Sequence, residues 1–83
     1  AKFHNPKEAI HLAERACQLT KYENPDLLDT LATAYAATGN FSDAVKTSEM
    51  ALEQAQSANQ HKLAAQIQKR LQLFKSGQPY HEP

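Results

Sequence analysis

The sequence has little of what disulfide-rich, nucleic-acid-binding or membrane-spanning proteins depend on. It holds one cysteine, and its nine lysines and arginines are balanced by nine aspartates and glutamates. A single cysteine cannot form an internal disulfide, so the cysteine content does not indicate a cellular compartment. The lack of a signal peptide slightly favours the cytoplasm. Zero formal net charge gives no electrostatic reason to bind nucleic acid or an anionic membrane. No apolar run approaches the roughly 20 residues of a membrane-spanning helix, and we expect a soluble domain.

Motifs for catalysis, metals and cofactors are also missing. The four histidines include no pair at the i, i+4 spacing of a helical metal site. The two glycines stand alone, so there is no phosphate-binding loop. Glu49 and Glu53 lie one helical turn apart on a face that we interpret as solvated, and Cys17 lies on an apolar flank that is typical of a buried structural thiol. We therefore expect no enzymatic activity, no cofactor and no bound metal.

What the sequence does hold is a helical period, interrupted by prolines and glycines at predicted helix ends. Asn24 can cap a helix that has Pro25 at its first position. Gly39 suits the left-handed position that ends the same helix, and Ser42 is predicted to cap the next one. Apolar residues recur between these signals with a period near 3.6. We predict an all-α fold without strands, in which four antiparallel helices span residues 6–20, 25–38, 42–57 and 60–76.

Within residues 24–57, small and large apolar residues stand at fixed spacing. The set comprises Leu28, Leu31, Ala32, Tyr35, Gly39, Phe41, Ala44, Ala51 and Leu52. This pattern resembles one complete tetratricopeptide repeat, a helix–turn–helix unit that stacks into an α-solenoid. The resemblance implies that small side chains at Ala44 and Ala51 let two helices approach closely. The segment departs from the family pattern at Leu28, where a tryptophan is usual, at Ser48, where a large residue is usual, and in lacking the closing proline.

The flanking segments fit the same single domain, residues 1–83. Residues 6–20 resemble the second helix of a truncated repeat, because Ala9 and Ala16 lie 35 positions before Ala44 and Ala51. Residues 60–76 have a narrow apolar stripe and a polar outer face, which favours a C-terminal capping helix. Residues 77–83 are predicted to be a tail in which Tyr80 folds back onto the last helix. A start without methionine indicates a fragment of a longer protein.

Two functional interpretations stay open. In the first, the chain is a scaffold that binds a protein or peptide partner in a concave groove lined by the first helix of the complete repeat. That helix carries two aspartates and no cation, which predicts a basic or neutral partner rather than an acidic one. In the second, the chain is the architectural end of a longer array, and recognition occurs upstream. The predicted groove residues are Asp26, Asp29, Thr33, Ala36 and Ala37.

The first helix carries a further candidate surface. Leu12 and Leu19 extend its apolar arc to nearly half of the circumference, which suits a helix packed on more than one side. An upstream helix would normally cover this strip. Because exposed apolar strips tend to mark interfaces, we expect weak self-association through Leu12 and Leu19, and no nucleic-acid or membrane partner.

Overall fold

Four α-helices form the described part of the chain. The computed structural model describes residues 6–77, so the predicted fold-back of Tyr80 lies outside the described residues. No strand occurs between residues 6 and 77, and the predicted all-α fold is confirmed, with every helix end within one residue of its predicted place. The helices are α1 (Pro6–Leu19), α2 (Pro25–Ala37), α3 (Phe41–Ser57) and α4 (His61–Lys75).

The start of α2 follows the predicted chemistry. Asn24 is extended, and its side-chain oxygen accepts hydrogen bonds from the backbone N–H groups of Asp26 and Leu27, at 2.9 and 3.2 Å. Pro25 takes the first helical position, where a backbone N–H would have had no helical partner. Local signals in four consecutive residues therefore fix where this helix begins.

A left-handed residue follows the end of each helix. After α2, the Gly39 N–H donates to the Ala36 carbonyl at 3.0 Å, and the Asn40 N–H donates to the Tyr35 carbonyl at 2.9 Å. This pair of bonds is a Schellman motif, and it confirms the predicted role of Gly39. The left-handed residues within residues 6–77 are Lys21 and Tyr22, both at φ +57°, Gly39 at +81°, Asn59 at +60° and Gly77 at +75°.

The predicted cap at Ser42 is wrong. Helix α3 begins one residue before it, at Phe41, and the preceding Asn40 makes no side-chain capping bond. Asn40 already closes α2 through its backbone N–H, and its φ of −90° and ψ of 65° differ from the extended conformation of a usual cap. One residue therefore ends one helix and opens the next, which makes the turn too short for a cap at Ser42.

Small side chains allow α2 and α3 to pack closely. Ala32 and Ala36 on α2, and Ala44 and Ala51 on α3, are each no more than 2% exposed. This burial confirms that the alanines predicted at the helix–helix contact face the interior. Helix α1 packs against α2, and α4 packs against α3, so the helices stack in chain order.

Larger side chains fill the space on either side of the alanines. One buried cluster joins all four helices and includes Cys17, Leu28 and Ile67. A smaller buried cluster contains Phe74 of α4 and Ala44 of α3. The predicted apolar stripe of α4 faces the core, since Ala64, Ile67, Leu71 and Phe74 are buried and Leu63 is half-buried.

Ser48, which stands where the sequence pattern expects a large residue, is fully buried on α3. Its hydroxyl oxygen has no hydrogen-bond partner among the described residues. A buried hydroxyl without a partner costs about 1–3 kcal/mol of stability. Ser48 is therefore tolerated for its small volume rather than for its polarity.

The turn after α1 generates a stability prediction. Lys21 and Tyr22 are consecutive left-handed residues with side chains, both at φ +57°, a conformation that costs a residue with a β-carbon roughly 1 kcal/mol. We expect Lys21→Gly to stabilise the fold by up to about 1 kcal/mol, because glycine takes this conformation without that cost. Urea unfolding followed by circular dichroism measures the change.

The matched control is Gly39→Ala. An added β-carbon at Gly39 would meet no atom within 4 Å, so any loss reports backbone conformation alone, and we expect about 1 kcal/mol of destabilisation. A lower unfolding midpoint for Lys21→Gly, or an unchanged midpoint for Gly39→Ala, would contradict the assignment.

Candidate functional site

An ion pair between Asp29 and Arg70 connects α2, the predicted groove-lining helix, to α4. The Arg70 Nη1 group donates to Asp29 Oδ2. The Arg70 side chain is 18% exposed and that of Asp29 is 14% exposed, so the pair is largely shielded from water. The two residues are 41 positions apart in the chain. Helices α2 and α4 therefore contribute to one surface. We call it the α2–α4 surface and define it by the Asp29–Arg70 ion pair.

The electrostatics of Asp29 depend on burial first and on Arg70 second. Burial raises the pKa of the Asp29 carboxyl above its ordinary value, and the nearby Asp26 raises it further. The Arg70 charge and hydrogen bond lower that pKa without reversing the net shift. Asp29 Oδ1 is buried and has no partner among the described residues. Because ionised Asp29 is poorly solvated, its stability in the fold depends on Arg70.

Arg70 also changes the predicted charge of the groove. No cation lies in α2, as the sequence indicated, but α4 supplies one to Asp29. No spacing rule connects residues on helices that are not consecutive, so the sequence carried no signal for this pair.

The other predicted groove residues do not share one environment. Asp26 and Ala37 are exposed, and Thr33 is half-buried, with its hydroxyl donating to the Asp29 carbonyl at 3.0 Å. Ala36, in contrast, is 2% exposed and belongs to the small core cluster. The assignment of Ala36 to the groove is therefore corrected, because the helical phase turns it toward α3.

A second long-range hydrogen bond fixes α1 against α2. The Tyr35 hydroxyl donates to Glu14 Oε2 at 2.6 Å, across 21 positions of sequence. This bond raises the pKa of Tyr35 well above its usual range, and burial raises it further. The phenol therefore stays protonated at neutral pH, and its role is to hold two helices together rather than to exchange protons.

The outer edge of α1 is open. Leu12 is 64% exposed and Leu19 is 76% exposed, so the described residues leave the predicted apolar strip uncovered. A shallow depression beside Leu12 is lined by polar side chains that include Glu14 and Arg15. Cys17 faces the other way, is 1% exposed and has a thiol pKa raised by burial, as expected for an unreactive structural thiol.

Metal-binding clusters and membrane-spanning helices are both absent from residues 6–77. No group of three or more histidine, cysteine, aspartate or glutamate side chains there is arranged to hold a metal ion. None of the helices has the length and apolar character needed to cross a bilayer.

The ion pair generates a double-mutant prediction. Arg70→Gln should destabilise the fold by about 1–3 kcal/mol at pH 7, because it leaves the shielded Asp29 carboxylate without its cation. Asp29→Asn should cost less, and the double variant should cost less than the sum of the single ones. Urea unfolding of the four proteins measures the coupling.

The destabilisation caused by Arg70→Gln should also depend on pH. Because the folded pKa of Asp29 is raised, ionisation of this group removes stability as the pH rises through that value. Protonated Asp29 needs no cation, so the cost of Arg70→Gln should shrink in acid. A cost that is additive with Asp29→Asn, or independent of pH, would contradict the assigned role of the pair.

Comparison with known proteins places the whole arrangement in a family. No curated protein and no solved structure matches the chain significantly. A family model for the tetratricopeptide repeat matches residues 2–67, which include α1, α2, α3 and the first half of α4. This match agrees with the stacked helix pairs and with the buried alanines of the α2–α3 contact. The chain therefore belongs to the tetratricopeptide repeat family.

Proposed function

We propose that the chain is a protein-interaction scaffold that holds a peptide or partner helix on the α2–α4 surface. Tetratricopeptide repeats generally mediate contacts between proteins, and the family assignment supports this role. The observation that carries the finer proposal is the Asp29–Arg70 ion pair, because it fixes two helices that are not consecutive on one surface. Asp26, Thr33 and Ala37 on α2 add partly or fully exposed positions to that surface.

The chemistry of the α2–α4 surface favours a basic or neutral partner. Arg70 compensates the Asp29 carboxylate, while Asp26 is exposed to solvent. A partner that lies along α2 meets the Asp26 carboxylate at the start of the helix and the small Ala37 side chain at its end. A single exposed charge contributes at most about 1 kcal/mol, so the Asp26 charge only disfavours acidic partners, and shape supplies most of the selectivity.

A titration of isotope-labelled protein tests this surface. We expect a basic peptide to shift the backbone amide resonances of Asp26, Asp29 and Thr33, and the shifts to fall as salt is raised. Asp26→Asn should weaken binding about twofold to fivefold, in keeping with a single exposed charge. The control is Glu49→Gln, an equal charge change at an exposed position on α3. Tight binding of an acidic peptide of equal length, or resonance shifts confined to α1, would reject the proposal.

An architectural role is the second candidate, and the open edge of α1 favours it. Leu12 and Leu19 together expose an apolar strip of the kind that a neighbouring repeat or a second copy would cover. At the other end, α4 turns exposed Gln68, Lys69 and Gln72 outward, as a terminal helix does. In this role the chain closes an array at α4 and joins its neighbour at α1.

Sedimentation equilibrium tests the α1 edge. We expect concentration-dependent self-association of the wild-type chain and its loss in the double variant Leu12→Lys with Leu19→Lys, because two buried charges would oppose the contact. Met50→Lys is the matched control, since Met50 is 41% exposed on α3 and lies outside the strip. Strictly monomeric wild-type protein at high concentration would reject self-association, and circular dichroism verifies that the variants fold.

A further inference from the structure

A second surface lies where the start of α3 meets the end of α4. A shallow, open depression of about 380 Å³ lies between them, and we call it the α3–α4 groove. It shares no lining residue with the α2–α4 surface. Its lining residues are Phe41, Ser42, Val45, Lys46, Phe74 and Lys75.

The floor of the α3–α4 groove is apolar and already anchored in the core. Phe74 is 1% exposed, and the half-buried Phe41 and Val45 pack against the same small cluster. Because Phe41 and Val45 are only half-buried, part of their apolar surface stays in water. An apolar side chain laid over them would remove that surface from water, which is the usual driving force for filling such a groove.

The rim of the groove is basic. Lys46 and Lys75 are exposed, and neither forms an ion pair or a side-chain hydrogen bond within residues 6–77. No acidic side chain lines the groove. A partner that carries carboxylates would therefore find two lysines without competing partners, whereas a basic partner would be repelled by both.

From this combination we infer that the α3–α4 groove binds an acidic peptide segment of a partner protein, one that places an aromatic or aliphatic side chain between carboxylates. The apolar side chain covers Phe41 and Val45, and the carboxylates meet Lys46 and Lys75. The inference does not rest on the α2–α4 surface, whose charge preference is the opposite.

Fluorescence anisotropy with a labelled probe tests the inference on the full chain. The probe is a five-residue peptide with one phenylalanine between two pairs of glutamates. We expect the double variant Lys46→Glu with Lys75→Glu to weaken binding about tenfold or more, since each reversal turns an attraction into a repulsion. Lys69→Glu is the matched control, an equal reversal at an exposed position of α4 outside the groove, and it should change affinity less than twofold.

Changes to the probe separate the groove from general attraction. Replacing the phenylalanine by glycine should weaken binding at least fivefold, because the apolar floor then stays uncovered. Equal loss with Lys69→Glu, or equal binding of the glycine probe, would overturn the inference. Binding of a basic peptide at the α2–α4 surface should be unaffected by Lys46→Glu, so the two proposals fail independently.

Discussion

The close approach of α2 and α3 is the constraint on which the rest of the structure depends. Ala32, Ala36 and Ala44 share one buried cluster, and Ala51 lies in the other, so the buried positions of this contact carry small side chains that let the two helices pack closely. That contact sets the antiparallel pair, and α1 and α4 then pack on its two sides. A larger side chain at the contact would displace both outer helices as well as the central pair.

Helix α4 places positive charges on two different surfaces of the fold. Arg70 turns toward α2 and compensates Asp29, while Lys75 stands beside α3 and forms no ion pair with any described residue. The formal net charge is zero, yet the exposed carboxylate of Asp26 and the two groove lysines lie on different surfaces. The net charge of zero gave no reason to expect nucleic acid as a partner, and it carried no information about these local preferences.

The sequence predicted those features that depend on local chemistry. Asn24 and Gly39 act within one turn of a helix, and their roles followed from residue type alone. Lys21 gave no signal, because lysine is not a typical left-handed residue and only its place after α1 imposes that conformation. The Asp29–Arg70 pair was missed because it joins helices that are not consecutive. Ala36 was misplaced because it lies at the edge of the apolar stripe, where one position separates core from surface.

Stacking in chain order has a consequence for how the protein is made. The packing between helices joins mainly helices that are consecutive in sequence, and local contacts of this kind favour fast folding. During synthesis the N-terminal residues emerge first. As each new helix leaves the ribosome, the helix that precedes it in the stack is already present, but the cluster that includes Cys17, Leu28 and Ile67 is complete only when α4 is added. We therefore expect α4, the last of the four helices to be synthesised, to complete the core.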